Sequence, residues 1–166
     1  ADYKVASTIP MAFSFVPSCL IVYFYPKMVQ AFSESKQAGR ASVKNLSKLF
    51  FAVNGGVFLL MLLGAPLLIW IGFGDKYMNV VPVFRLLSVN YLIHAVQSLL
   101  SHVLAVIKRL KANLLLSLLS GLANIGLNIL LIPLWGSMGA ALATLSVTCL
   151  VTLLYFIYLR KFYKEA

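Results

Sequence analysis

Apolar residues run along this chain in five long stretches, separated by short polar or glycine-rich segments. A helix of about 20 apolar residues spans the ~30 Å hydrocarbon core of a bilayer, and each stretch reaches that length. None alternates as a half-buried strand does. The pattern predicts an all-α, polytopic membrane protein with one transmembrane helical domain over residues 1–166. The five predicted helices are 5–25, 49–73, 80–107, 112–134 and 137–159.

The first predicted helix carries small and proline residues on one face. Two prolines seven residues apart predict a bend, because each removes a backbone donor. This face fits two interpretations: helix packing through small residues, or a hinge that lines a cavity. The residues that share it are Ser7, Pro10, Ser14, Pro17 and Ser18.

Residues 26–48 form the longest polar segment, with five bases against the single acid Glu34. We interpret it as a cytoplasmic loop with room for a short surface helix. Binding of anionic lipid headgroups is an alternative role for its bases, although membrane topology alone accounts for them.

Composition fits a membrane protein: 61% of residues are hydrophobic and 11% are charged, against about 25% charged in ordinary soluble domains. The formal charge of +10 comes from bases between the apolar stretches. Eleven bases fall on one predicted side and two on the other, so the positive-inside rule puts the heavier side and the C-terminus in the cytoplasm. No nucleic-acid-binding motif is present.

The third predicted helix is the most polar. At about 100° per residue, its hydrogen-bonding side chains fall in a sector of about 140°, which should face other helices or a water-filled cavity. Arg85 lies outside that sector; it either snorkels to the headgroups or contacts an anion such as a phosphate or acidic sugar. The sector contains Asn90, Tyr91, His94, Gln97, Ser98, Ser101 and His102.

The sequence contains no residues that suggest a catalytic site. The four acids lie in predicted loops or termini, with no carboxylate pair. His94 and His102 are about 12 Å apart along a helix, too far to share a metal ion; each fits a hydrogen-bonded interior histidine, with proton coupling as an alternative. Cys19 and Cys149 are expected to be free, buried thiols. The sequence predicts a non-enzyme without metal or cofactor.

The fourth and fifth predicted helices form a tight hairpin. Asn124 and Asn128 lie one turn apart and should face inward, either as helix–helix contacts or as contacts to a sugar. Pro133 and Gly136 mark the turn. Small residues four apart then allow close helix packing in lipid, at Gly136/Ala140 and Gly139/Ala143.

The same hairpin resembles a known family. Asn128 followed by Ile132-Pro133, Gly136 and Gly139-Ala140-Ala141 is similar to the last hairpin in the C-terminal half of polysaccharide flippases. These belong to the multidrug/oligosaccharidyl-lipid/polysaccharide exporter superfamily. Two weaker similarities are Phe24-Tyr25-Pro26-Lys27, which would end a helix, and residues 72–77.

The resemblance implies a transporter of two helical bundles, with this chain as part of the C-terminal bundle. It implies alternating access, in which a polyprenyl-pyrophosphate-linked oligosaccharide such as an O-antigen unit is flipped across the bacterial cytoplasmic (inner) membrane. The expected partners are the lipid bilayer, this glycan substrate and N-terminal helices of a longer parent chain, because the chain begins with Ala.

No binding residue transfers through the motif, so site candidates rest on the helix faces. A cation-coupled multidrug exporter of the same superfamily, a peptidoglycan-precursor flippase and a non-transporting membrane scaffold subunit stay open as alternatives. The substrate-cavity candidates are Arg85, Asn90, His94, Gln97, Ser98, Ser101, His102, Asn124 and Asn128.

Overall fold

The protein is helical throughout the part of the chain that the computed structural model describes, which is the backbone of residues 2–165 and the side chains of residues 2–162. Four of its apolar helical stretches are long enough to cross a membrane, so this is a multi-pass membrane protein by helix hydropathy. The elements are α1 Asp2–Phe13, α2 Phe15–Glu34, α3 Lys36–Leu63, α4 Ala65–Phe73, the 3-10 helix Asp75–Val80, α5 Val81–Val106 and α6 Leu110–Glu165.

The bend expected in the first helix lies at Ser14, between α1 and α2. Pro10 and Pro17 flank it, and the Ser14 amide donates to the Met11 carbonyl at 3.1 Å. The Ser18 hydroxyl donates to the Ser14 carbonyl at 3.1 Å. Serine hydroxyls thus bind carbonyls at a break where the helical ladder is interrupted.

The prediction of a loop over residues 26–48 is wrong, because this segment is helical. α2 continues through Pro26 to Glu34, and α3 begins at Lys36 rather than near residue 49. Ser35 makes the turn in an extended conformation, and its hydroxyl accepts a hydrogen bond from the Ala38 amide at 3.0 Å as an N-cap. The bases of the segment recur every fourth residue, on one exposed helix face, at Lys36, Arg40, Lys44 and Lys48.

α3 and α4 together follow the second predicted helix, interrupted at Gly64. The Gly64 amide donates to Leu60 at 2.9 Å, and the Leu68 amide donates to Gly64 at 2.8 Å. Pro66 lies in the first turn of α4, where a proline is tolerated. The helix is therefore interrupted at Gly64, two residues before Pro66.

α6 is a hairpin of two antiparallel limbs, 110–135 and 137–165. Gly136 has φ 55° and ψ −127°, outside helical values. The Tyr155 hydroxyl donates to Asn113 Oδ1 at 2.7 Å, whereas 42 residues of straight helix would separate these positions by about 63 Å. The limbs therefore fold back at Gly136, and the bundle has five long helical passes.

α5 is the central helix of this bundle. It packs against every other helix, and eleven of its residues are buried. One core cluster joins Ala6 of α1 with Met61, Phe84 and Ala141. A second joins Phe24 and Phe50 with the end of α5 and with Leu159 of limb 137–165. The two clusters occupy opposite ends of the bundle.

The outer surface is apolar, as a lipid-facing surface requires. On limb 110–135, Leu122 is 70% exposed and Ile129 is 69% exposed. Contiguous exposed apolar area of this kind is unusual for a protein in water. The two cysteine thiols also belong to this surface: Cys19 and Cys149 are free, but they are exposed, so the expectation of burial was wrong.

Candidate functional site

A polar cavity of about 280 Å³ lies between α1, α5 and limb 137–165. Seven of its ten lining residues carry a polar side chain. Three elements contribute hydroxyl, amide and imidazole groups to it. The lining residues are Tyr3, Ser7, Pro10, Met11, Ser14, Leu87, Asn90, Tyr91, His94 and Thr144.

Asn90 and His94, one helical turn apart on α5, bring the predicted polar face to this cavity. The His94 side chain is exposed. Asn90 Oδ1 is buried and has no hydrogen-bond partner among the described residues. A buried acceptor without a donor lowers the stability of the folded protein. A buried polar group left without a partner therefore needs an explanation, and a functional role is one of them.

α1 forms the opposite wall with the residues around its break. Ser7 donates to the Lys4 carbonyl at 3.1 Å, and Ser14 donates to the Met11 carbonyl. Each hydroxyl donates its hydrogen to a carbonyl of the same helix. Its oxygen can therefore only accept a hydrogen bond from a group in the cavity. The cavity-lining interpretation of this face therefore fits Ser7, Pro10 and Ser14, while Pro17 is buried and Ser18 is exposed outside the lining.

A buried hydrogen-bond chain lies behind the cavity. The Tyr91 hydroxyl donates to Asn54 Oδ1 at 2.8 Å, and Asn54 Nδ2 donates to the Phe50 carbonyl at 2.8 Å. Asn54 is fully buried. This pair fixes the rotation of α5 against α3, and with it the direction in which Asn90 and His94 point.

The lower half of the predicted face lies apart from the cavity. Ser101 donates to Asn113 Oδ1 at 2.9 Å, which joins α5 to limb 110–135. His102 Nδ1 lies 2.7 Å from the Ser98 carbonyl, and its ring meets Tyr25 edge-on at 6.3 Å. Gln97 is half-buried on the same helix. These contacts are those of helix packing.

The other three candidates also lie outside the cavity lining. Asn128 Nδ2 donates to the carbonyl and to Oδ1 of Asn124, each at 2.8 Å, along limb 110–135. Arg85 is exposed near the start of α5. The structure thus brings two of the nine candidates, Asn90 and His94, to the cavity.

Several site residues were missed in the sequence. Tyr3 and Thr144 line the cavity. Tyr3 lies near the start of the sequence and Thr144 lies on a helix face of small residues, and no sequence pattern marks either of them as a site residue. Asn54 had a signal, since it is an amide inside an apolar run. Among the described residues, no three His, Cys, Asp or Glu side chains lie close enough to hold a metal ion.

Comparison with known proteins found no match to this chain among family models, curated proteins or solved structures.

Proposed function

We propose that this chain forms part of one bundle of a flippase for polyprenyl-pyrophosphate-linked oligosaccharides, acting by alternating access in a bacterial cytoplasmic membrane. The observation that carries the proposal is the polar cavity between α1, α5 and limb 137–165 in an otherwise lipid-facing bundle. Placing polar groups inside a membrane costs free energy. Such groups therefore rarely face lipid, and they commonly line the path of a transported substrate. The hairpin resemblance supplies the substrate class.

The chemistry of the lining suits a glycan. Asn90 and His94 offer an amide and an imidazole, and Ser7, Ser14 and Thr144 offer hydroxyl oxygens. Sugar hydroxyls both donate and accept, so mixed donors and acceptors match them. A sugar hydroxyl would supply the donor that Asn90 Oδ1 otherwise lacks.

The break at Ser14 gives this wall a place to bend. Because Pro10 and Pro17 weaken the helical ladder on either side, α1 can tilt relative to α2 while α5 is held by Asn54. In the proposed mechanism this tilt opens and closes the cavity as the bundle rocks. The glycan head crosses in the cavity while the polyprenyl chain stays in lipid.

The position of the acids favours this substrate class over a cation-coupled drug exporter. Asp2 begins α1, Glu34 ends α2 and Asp75 begins the 3-10 helix. Each therefore stands at a helix end rather than in the middle of a span. A cation site within this bundle would need an acid at membrane depth.

The proposal predicts that Asn90→Leu and His94→Leu lose flipping without losing stability. In a strain that lacks its own flippase, expressing the full parent gene, surface polysaccharide should fall at least about tenfold, the factor given by ~1.4 kcal/mol of lost interaction. Because Asn90 Oδ1 has no partner to lose, Asn90→Leu should leave the amount of folded protein unchanged.

Asn45→Leu is the matched control, since Asn45 is exposed on α3 away from the cavity. Arg85→Ala in the same assay tests the anion-contact interpretation of that exposed base. Full activity of both cavity variants at normal protein level would refute the assigned site. Failure of the well-expressed parent to rescue the strain with its native glycan would refute the flippase function.

A further inference from the structure

A second recess, distinct from the polar cavity, lies at the basic end of the bundle. It has a volume of about 200 Å³ and is lined by Lys36 and Arg40 of α3, Lys108 after α5, and the rings of Phe32 and Phe162. We name it the cationic pocket. Three bases and no acid line it among the described residues; the acid nearest in sequence, Glu34, is exposed at the end of α2.

The backbone at Lys108 holds one of these bases in place. Lys108 has φ 59°, a left-handed conformation that favours glycine. The Arg109 amide donates to the Leu104 carbonyl at 2.9 Å, and the Lys108 amide donates to Ala105 at 3.0 Å. This pair of bonds is the Schellman helix end, in which a lysine takes the place usual for glycine. A lysine in a strained position here is consistent with a use for its charge.

An apolar groove of about 540 Å³ begins beside the cationic pocket, between α3, α5 and limb 137–165. The same three elements line both recesses. Arg40 and Val43 are one turn apart on α3, and Val106 and Val103 are one turn apart on α5. The groove therefore continues from the pocket toward the middle of the membrane.

The length of the groove matches one bilayer leaflet. It runs from Val43 to Phe51 on α3 and from Val103 to Ile93 on α5, which is about 12 to 15 Å at ~1.5 Å per residue. Half of a ~30 Å hydrocarbon core is about 15 Å. The groove also opens to lipid, because Phe51 is 44% exposed and Phe156 is 54% exposed.

We propose that the cationic pocket and this groove bind one anionic phospholipid of the leaflet on the basic side of the membrane. The phosphate contacts Lys36, Arg40 and Lys108, and an acyl chain lies in the groove. Basic pockets between transmembrane helices bind anionic headgroups. The charge of the pocket selects an anionic lipid, and the leaflet-length groove selects an acyl chain over a longer polyprenyl chain. The site does not depend on the proposed transport function.

Native mass spectrometry of the full chain in detergent tests the site, with phosphatidylglycerol and phosphatidylcholine of the same chain length as probes. We expect one phosphatidylglycerol to bind about tenfold more tightly than phosphatidylcholine. Lys36→Gln with Lys108→Gln should weaken it on the order of 25-fold, about fivefold per base. The control, Lys44→Gln with Lys48→Gln, removes equal charge from α3 outside the lining of the pocket and should change binding less than twofold.

A second arm tests the groove. Val96→Trp fills it and should weaken long-chain phosphatidylglycerol while leaving a dihexanoyl phosphatidylglycerol unchanged; inorganic phosphate should not displace the long-chain lipid. Equal binding of the two headgroups by the unmodified protein would overturn the proposal, whether or not the variants fold. An equal loss in the control variant would also overturn it. Displacement by phosphate, with no effect of Val96→Trp, would show a headgroup-only anion site and overturn the lipid assignment.

Discussion

Side-chain hydrogen bonds connect α5 to its neighbours at two levels of the bundle. Tyr91 binds Asn54 of α3 near the polar cavity, and Ser101 binds Asn113 near the basic end. Asn113 Oδ1 also accepts from Tyr155, so one amide joins α5 and both limbs of α6. In membrane proteins such bonds average about 0.6 kcal/mol and reach about 1.7 kcal/mol. Their main effect is to fix how the helices are rotated.

Tyr91→Phe is predicted to lower the free energy of unfolding by about 1 kcal/mol, because Asn54 Oδ1 loses its donor while remaining buried. The measurement is reversible unfolding of the purified protein in mixed micelles. Tyr158→Phe, at an exposed tyrosine, removes the same hydroxyl as a control. A Tyr91→Phe protein as stable as the control would contradict the role given to this bond.

Sequence periodicity predicted the direction of Asn90 and His94 because a helix repeats every ~3.6 residues. Periodicity could not tell which residues of this face line a cavity and which pack against a neighbouring helix, since Ser98, Ser101 and His102 follow the same period. What separates them is the neighbouring helix: α1 faces Asn90 and His94 across the cavity, whereas limb 110–135 contacts Ser101 directly. That arrangement depends on tertiary packing, which the pattern of a single helix does not contain.

The hairpin of α6 depends on two glycines with different constraints. Gly136 adopts φ 55°, where a side chain is strained. At Gly139, an added Cβ would lie 2.1 Å from the Leu131 carbonyl oxygen. Because backbone atoms cannot move aside as a flexible side chain can, this approach of the two limbs requires glycine.

Gly139→Ala is predicted to lower the free energy of unfolding by ~1–3 kcal/mol, the usual cost of overpacking. Gly126→Ala is the matched control on the same element, because nothing lies within 4 Å of an added Cβ there. That control should be neutral or slightly stabilising. Thermal unfolding in one detergent compares the two variants. Equal melting temperatures would contradict the tight turn described here.

The segment 26–48 shows where hydropathy misleads at the scale of an element. Its charges lower the local hydropathy to that of a loop, and Pro26 resembles a helix end. Yet the bases fall every fourth residue, which keeps one helix face polar and leaves Gly39 and Phe50 buried on the other side. The helical spacing of these charges was the signal that α3 begins well before residue 49.

The whole bundle has its two chain ends at opposite sides. Ala6 belongs to one core cluster, and Leu159 belongs to the other. Five passes produce this arrangement, whereas an unbroken α6 would give four passes and put both ends on one side. Hydropathy predicts the number of apolar stretches, whereas Pro133 and Gly136 predicted the fold-back; the backbone at Gly136 and the Tyr155–Asn113 contact confirm it.

Opposite sidedness predicts different labelling of cysteines near the two ends. In a protein with Cys19 and Cys149 replaced by alanine, Lys4→Cys should react with a membrane-impermeant maleimide added to intact cells. Lys161→Cys should react only after the membrane is opened, since the positive-inside rule puts the basic end in the cytoplasm. Equal labelling of both positions in intact cells would contradict the five-pass arrangement.

The most direct test of the proposed transport site is labelling of Ser14→Cys, a near-isosteric change within the polar cavity, in the same cysteine-free background. Leu122→Cys is the control: it is 70% exposed but on the lipid face, and it lies twelve residues after the start of α6, as Ser14 lies twelve residues after the start of α1. We predict that Ser14→Cys reacts with a water-soluble maleimide, that Leu122→Cys does not, and that accumulated lipid-linked oligosaccharide slows the Ser14→Cys reaction. A Ser14→Cys protein as inert as the control, or one that the substrate does not protect, would contradict the cavity as a path for the glycan.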